Sequence, residues 1–270
     1  MKERVTLTID EDLLRRIDGR VDGNAVKNRS HAIELLLRKA FRGTTPTTAA
    51  ILAGGKEGRG TPDALTEVKG APMIQHNIDL CVRFGIRDII LIAGPLNEKL
   101  RSIYGDGTQH HVRITYVDEK EPLGTAGCLR ALRERVKETL IVLNGDELKD
   151  VNLQRLYEAH LESGARATIA LTTVEDPSSY GAALLDGSRI LRFVEKPRKE
   201  DAPSKLINAG LYLLEPDVLD LIPAGFATLE QDVFPKLAKA GALQGYPFAG
   251  QWFDTDELER ARKEWRGFHA

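Results

Sequence analysis

Two aspartates, a glycine pair and a Glu-Lys-Pro run are the residues of this 270-residue chain best placed to do chemistry. Asp146 closes Leu143-Asn144-Gly145-Asp146, the end of an apolar run that reads as a strand. A carboxylate emerging there into a cleft is a hard oxygen ligand suited to Mg²⁺. Asp254 stands in Trp252-Phe253-Asp254, just before the last helical stretch. Two aspartates from distant segments meeting at one metal suit the handling of a nucleoside triphosphate. Ala50-Ile51-Leu52-Ala53-Gly54-Gly55 reads as a buried strand delivering a turn without side chains. Such a turn lets backbone N–H groups approach a phosphate. Phe193-Val194-Glu195-Lys196-Pro197 ends another strand with an acid–base pair. Asn208-Ala209-Gly210-Leu211-Tyr212 follows it and Glu121-Pro122-Leu123-Gly124-Thr125-Ala126-Gly127 precedes it. Each run also has a plain structural meaning: Gly-Asp a turn, Glu-Lys-Pro a solvated strand end, Asn-Ala-Gly a bulge. Their joint order and spacing carry the functional reading.

Such residues need a scaffold that gathers strand ends. From residue 49 onward, strand candidates 49–53, 87–93, 112–117, 139–144, 167–173, 189–195 and 208–214 alternate with helical patterns such as 72–84, 125–136 and 152–163. This alternation predicts a Rossmann-like α/β domain, its mixed sheet mostly parallel and covered on both faces. Ligands in such sheets sit beyond the carboxyl ends of the strands.

The first forty residues read differently. Arg4-Val5-Thr6-Leu7-Thr8-Ile9-Asp10 alternates strictly, so Val5, Leu7 and Ile9 share one face and Arg4, Thr6 and Thr8 the other. A helix capped by Asp10 follows, then a break over 19–24, then a second helix starting at Ser30. One strand and two short helices cannot close a core alone, which points to a dimer with the strands paired. The segment resembles the ribbon-helix-helix family of DNA-binding proteins. That resemblance implies a ribbon in the major groove, with Arg4, Thr6 and Thr8 on base edges and Arg29 and Ser30 holding a phosphate. A dimerisation clip, or an added edge strand for the main sheet, are the other readings. Gly43-Thr44-Thr45-Pro46-Thr47-Thr48 reads as a linker, giving domains over 1–43 and 49–270 joined by 44–48.

Residues 49–270 resemble the sugar-phosphate nucleotidyltransferases, which join a sugar 1-phosphate to a nucleoside triphosphate and release pyrophosphate. By that resemblance Ala53, Gly54, Gly55, Pro122 and Gly124 hold the nucleotide. Arg59 is the catalytic arginine, and Asp146 and Asp254 hold Mg²⁺. Gly181, Glu195 and Asn208 bind the sugar, and Lys196 binds its phosphate. The last third, with Leu229-Glu230-Gln231-Asp232-Val233-Phe234-Pro235, looks closest to mannose- or heptose-type guanylyltransferases.

The opening loop departs from the family pattern. The stretch after Arg59 is shortened, and Asp63 stands where a Pro-Lys lysine is expected. An anion there repels a phosphate. Together with the head, this predicts a DNA-binding transcriptional regulator whose large domain senses a sugar phosphate, nucleotide or nucleotide sugar. The alternative is an active Mg²⁺-dependent nucleotidyltransferase.

Composition bounds the remaining classes. Net charge is −2, with a head carrying ten Lys/Arg against seven Asp/Glu. No apolar run approaches membrane-spanning length and no leader pattern opens the chain, so a cytoplasmic protein is expected. Cys81 and Cys128 read as buried hydrophobes rather than a disulfide framework.

Overall fold

The computed structural model describes residues 6–21, 26, 28–41, 45–54, 63–119 and 121–268. The chain divides into two compact units, Met1–Gly43 and Thr44–Ala270.

In the first unit, helix α1 (Glu11–Asp18) begins where expected. Asp10 Oδ1 accepts from the N–H groups of Asp12 and Leu13 at 2.9 and 3.4 Å. Helix α2 spans Arg29–Phe41. Its first turn is capped by Asn28, whose Oδ1 accepts from the His31 N–H at 2.9 Å, and not by Ser30. The described residues 6–10 pair with no strand, and Leu7 is 54% exposed. A ladder needs a second strand, and the described part of the head supplies none.

The second unit is built on a nine-stranded sheet. Its members are β1 (Thr48–Leu52), β4 (Asp88–Ile92), β5 (Arg113–Val117), β6 (Leu140–Asn144), β8 (Ala167–Thr173), β9 (Gly181–Asp186), β10 (Arg189–Glu195), β11 (Leu206–Leu214) and β12 (Leu243–Pro247). The short strands β2 (Glu67–Val68) and β3 (Ala71–Pro72) pair with each other, as do β7 (Leu148–Lys149) and β13 (Trp252–Phe253). The order across the large sheet is β5-β4-β1-β6-β11-β8-β12-β10-β9. Successive residues of β1 serve opposite faces: Ala50 enters one core cluster, Ala49 and Ile51 the other. Both faces are therefore covered, as the near-continuous apolar strands require.

The sheet is less parallel than expected. β5, β4, β1 and β6 run parallel, as do β8 and β12. β11 runs antiparallel to both β6 and β8, and β10 runs antiparallel to β9 and β12. The cause lies partly in Asp186-Gly187-Ser188. Gly187 takes φ +59° between β9 and β10, and so short a turn joins only antiparallel strands.

Helices α3 (Met73–Arg83), α4 (Asn97–Tyr104), α5 (Gly124–Gly127), α6 (Leu153–Ser163), α7 (Phe234–Lys239) and α8 (Leu258–Glu264) complete the unit. The helix expected over 125–136 is only α5 followed by a 3-10 stretch, Cys128–Leu132. Close packing shortens it. A Cβ on Gly124 or Gly127 would lie 2.4 Å from the carbonyl oxygens of Ala227 and Gly225. Among the described residues no helix is long and apolar enough to cross a membrane.

Candidate active site

The parallel pairing of β1 with β6 sets Leu52 opposite Asn144, so the two strands end side by side. The Gly145 N–H donates to the Leu52 carbonyl at 2.8 Å, fastening the Asp146 turn beside Ala53 and Gly54. A Cβ on Gly145 would lie 3.1 Å from that carbonyl oxygen, which accounts for glycine there. Asp254 comes from the other end of the chain. The β7–β13 register, Phe253 with Leu148, carries Asp254 back to the same end as Asp146.

Buried polar groups hold this turn. Asn77 Nδ2 donates to the carbonyls of Met73, Gly145 and Glu147 at 3.0, 3.4 and 3.0 Å. The Lys149 ammonium, wholly buried, donates to the carbonyls of Asn144 and Gly210 at 3.1 and 2.9 Å. It lies 3.8 Å from the Glu147 carboxylate. Burial pulls the Lys149 pKa down, while Glu147 and Asp146 hold it up. Glu147 accepts from Asn144 Nδ2 at 2.7 Å and from Trp252 Nε1 at 2.9 Å. That clasp ties the strand before Asp146 to the strand before Asp254. Asp254 is clamped in turn. Its Oδ1 accepts from the N–H groups of Asp256 and Glu257, and its Oδ2 accepts from the Tyr180 hydroxyl at 2.7 Å. Burial, then the bond to Asp254, raises the Tyr180 pKa.

Among the described residues no cluster of three or more His, Cys, Asp or Glu side chains forms a metal cage. Two carboxylates carried by the strand register to one end of the sheet fit Mg²⁺ nonetheless, because this ion usually takes one or two carboxylates and completes its shell with water and phosphate oxygens.

The residues expected to hold the sugar lie against the same strand ends. Asn208 Oδ1 accepts from the Gly210 N–H at 2.9 Å, and Gly210 sits at φ +58°. The β8–β11 register shifts between Asn208 and Tyr212, so this segment is indeed a bulge. A Cβ on Gly210 would lie 2.3 Å from the Glu147 carboxylate, which makes glycine obligatory. Glu195 pairs with Gly181 at the end of β10. Gly181 is also required by packing, since a Cβ there would lie 2.3 Å from the Phe193 ring and 2.8 Å from Glu195 Oε2. Lys196 follows at φ +45°, an uncommon setting for a residue with a side chain. The strain is held by its N–H, which donates to the Tyr180 carbonyl at 2.9 Å. Strain of this kind concentrates at working sites.

Glu195 Oε2 is buried without a hydrogen-bond partner. Burial, and then the Glu230 carboxylate, pushes its pKa up to about 7, with Lys196 opposing. The fold therefore favours the neutral acid. That contribution to stability is full below the ordinary value near 4.5 and is lost as pH rises through about 7. A ligand hydroxyl bonds a carboxylate more strongly than a neutral acid. Affinity for a sugar 1-phosphate should therefore rise through a midpoint near pH 7, and Glu195→Gln should flatten that step in a calorimetric pH series. An unchanged step in Glu195→Gln would show that another group titrates.

The residues expected to hold the nucleotide are described in part. Ala53 is buried and its N–H donates to the Ile92 carbonyl at 2.8 Å, while Gly54 is exposed. Gly55 and Arg59 lie outside the described residues, and Asp63 opens a 3-10 turn, Asp63–Leu65. Pro122 is exposed, and Gly124 takes φ +78° against Ala227.

The structure thus gathers Ala53, Gly54, Asp146, Asp254, Gly181, Glu195, Lys196 and Asn208 around strand ends or the loops that continue them. Glu147, Lys149, Tyr180, Asn77 and Glu230 were not singled out as site residues by the sequence. An Asp-Glu-Leu-Lys run gives no warning that its lysine is interior. In the head, Arg4 lies outside the described residues, and Thr6 and Thr8 are exposed. Arg29 is already committed: its Nε and Nη2 donate to the Asp18 carboxylate, each at 2.6 Å, so its guanidinium is not held ready for a phosphate. Ser30 lies within the first turn of α2 rather than at its cap.

A model of the family described as "Nucleotidyl transferase" matches residues 49–262, leaving the head outside it. The chain is 35% identical over 221 residues to mannose-1-phosphate guanylyltransferase catalytic subunit beta of Danio rerio, covering 77% of this chain and 61% of that protein. It is 36% identical over 203 residues to mannose-1-phosphate guanyltransferase of Debaryomyces hansenii, covering 73% and 56%. The chain thus spans less than two thirds of the length of these relatives. Among solved structures, a Bacillus anthracis protein described as a glucose-1-phosphate thymidylyltransferase, in complex with a sucrose, superposes with a TM-score of 0.73 at 25% identity, over 83% of this chain and 96% of that one. HddC of Yersinia pseudotuberculosis, complexed with GMP-PN, shares the fold with a TM-score of 0.70 at 22% identity, over 82% and 100%. These findings overturn the reading as a DNA-binding transcriptional regulator. The similar proteins are sugar-phosphate nucleotidyltransferases by name, and none of the comparisons supports a ribbon-helix-helix DNA reader in the head.

Proposed function

The chain belongs to the Nucleotidyl transferase family, and on that premise we propose that it joins a hexose-type sugar 1-phosphate, mannose 1-phosphate first, to the guanylyl group of GTP. The observation that carries the proposal is that Gly54, Asp146 and Asp254 all lie beyond the same end of β1 and β6. Gly145 is bonded to Leu52, and Phe253 is paired with Leu148. Two curated relatives covering about three quarters of the chain are named for this reaction.

In the reaction, an oxygen of the sugar phosphate attacks the α-phosphorus of the triphosphate. The new oxygen–phosphorus bond forms as the bond to the bridging oxygen breaks, and pyrophosphate leaves with that electron pair. Two anions must be held in line against their repulsion, which is a matter of positioning and charge. Asp146 and Asp254 would hold Mg²⁺, which supplies neutralising charge on the phosphates. Ala53, Gly54 and Gly124 offer close backbone approach to the nucleotide. Lys196 meets the sugar phosphate, and Glu195 and Asn208 take sugar hydroxyls. Arg59, shortly after Gly55 in the sequence, would be the cation for the triphosphate.

The test is pyrophosphate release by the full chain with Mg²⁺, using GTP, ATP, UTP and dTTP against mannose, glucose and heptose 1-phosphates. Release that is fastest with GTP and mannose 1-phosphate is expected. No release with any pair would overturn the enzymatic reading, and preference for another base or sugar would correct the substrate alone.

A further inference from the structure

We propose that Glu230 is a positioning residue that locks the nucleotide loop to the sugar pocket, so that each substrate tightens the binding of the other. The proposal rests on the nucleotidyl-transfer reading and adds a coupling between its two halves. Glu230 lies on a single π-type turn, Leu229–Val233. Such turns are rare and recur at functional sites. Its Oε2 accepts from the Thr125 hydroxyl at 2.6 Å. The same Thr125 oxygen accepts from the Leu229 N–H at 3.0 Å, so loop 122–127 and the turn hold each other reciprocally.

The backbones are fastened as well. The Ala227 N–H donates to the Leu123 carbonyl at 2.9 Å, and the Ala126 and Gly127 N–H groups donate to the Ala227 carbonyl at 3.0 Å. Gly124 and Gly127 leave no room for a Cβ at this seam. The two segments therefore move as one body.

Glu230 also faces the sugar side. Its Oε1 accepts from the buried Tyr212 hydroxyl at 3.3 Å, and that oxygen accepts from Asn208 Nδ2 at 2.8 Å. Its charge acts on Glu195, the other carboxylate of the pocket. A nucleotide that settles on loop 122–127 fixes Thr125, and through Glu230 fixes the Tyr212–Asn208 pair. The sugar phosphate then meets a pocket whose ordering cost is already met. By linkage the sugar phosphate must tighten nucleotide binding by the same factor.

The experiment is calorimetric titration of the full chain with mannose 1-phosphate, with and without Mg²⁺ and a GTP analogue carrying a methylene between its α and β phosphates. The wild-type chain should show a coupling factor of about 5- to 150-fold. Glu230→Gln and Thr125→Val should bring the factor to roughly one, and Thr125→Ser, which keeps the hydroxyl, should restore it. A merely structural role would weaken both ligands and leave their ratio intact. No coupling in the wild type, or full coupling in both Glu230→Gln and Thr125→Val, would overturn the proposal. Failure of either ligand to bind the wild-type chain would overturn the choice of mannose 1-phosphate and GTP and not the coupling, which is then read with the pair that releases pyrophosphate fastest.

Discussion

Asp146→Ala is expected to lower kcat by a factor of about 10² to 10³, the loss that follows when a group aimed at developing phosphate charge is removed. Asp146 follows directly on Gly145, whose N–H is bonded to the end of β1, so its carboxylate has little freedom to be replaced by a neighbour. Glu147 is turned into the buried network beneath the turn, where it meets the Lys149 ammonium, Asn144 and Trp252. Asp254 alone would leave one carboxylate to hold a doubly charged ion. On the proposed reading Glu195, Lys196 and Asn208 hold mannose 1-phosphate, which should still bind within a few-fold of wild type. Pyrophosphate release and calorimetry on the same preparation separate the two effects. Turnover within tenfold of wild type would remove Asp146 from the metal site.

Lys149→Ala is expected to destabilise the chain by about 3–5 kcal/mol, the range for removing one partner of a buried ion pair. The ammonium is fully enclosed, and two backbone carbonyls and Glu147 depend on it. Its removal leaves those carbonyls unsatisfied and the Glu147 carboxylate without its cation, and a buried unpaired acceptor is costly. Adding Glu147→Gln to Lys149→Met should recover part of the loss, because the two residues share one network and their effects cannot be additive. Urea denaturation of the four proteins reads this directly. A loss below about 1 kcal/mol in Lys149→Ala would mean that water enters and replaces the ammonium.

The expected strands of the large unit are found nearly where apolar runs ended, because both faces of this sheet are buried and each strand reads as a continuous hydrophobic stretch. Asp146, Glu195 and Asn208 were legible for the same reason: each stands where such a run stops. Strand β9 was missed, although Asp186-Gly187 is a hairpin signal. Its outer residues, Leu184 among them, are partly exposed and blur the pattern. The support beneath the site was not legible. Lys149, Asn77 and Glu230 owe their roles to neighbours far along the chain, and periodicity records only which face a residue occupies. Asp63 and the head misled in another way. One anion in a shortened loop and one alternating heptapeptide suggested a regulator, where the overall similarity is to proteins named as guanylyltransferases.

The clasp between Glu147 and Trp252 spans 105 residues. Chains emerge from the ribosome amino end first. Gly54, Asp146, Glu195 and Asn208 are all translated before β13 exists. Asp254 comes only after Trp252 and Phe253, so on the proposed reading the nascent polypeptide would lack its second Mg²⁺-holding carboxylate until the residues of this clasp are in place.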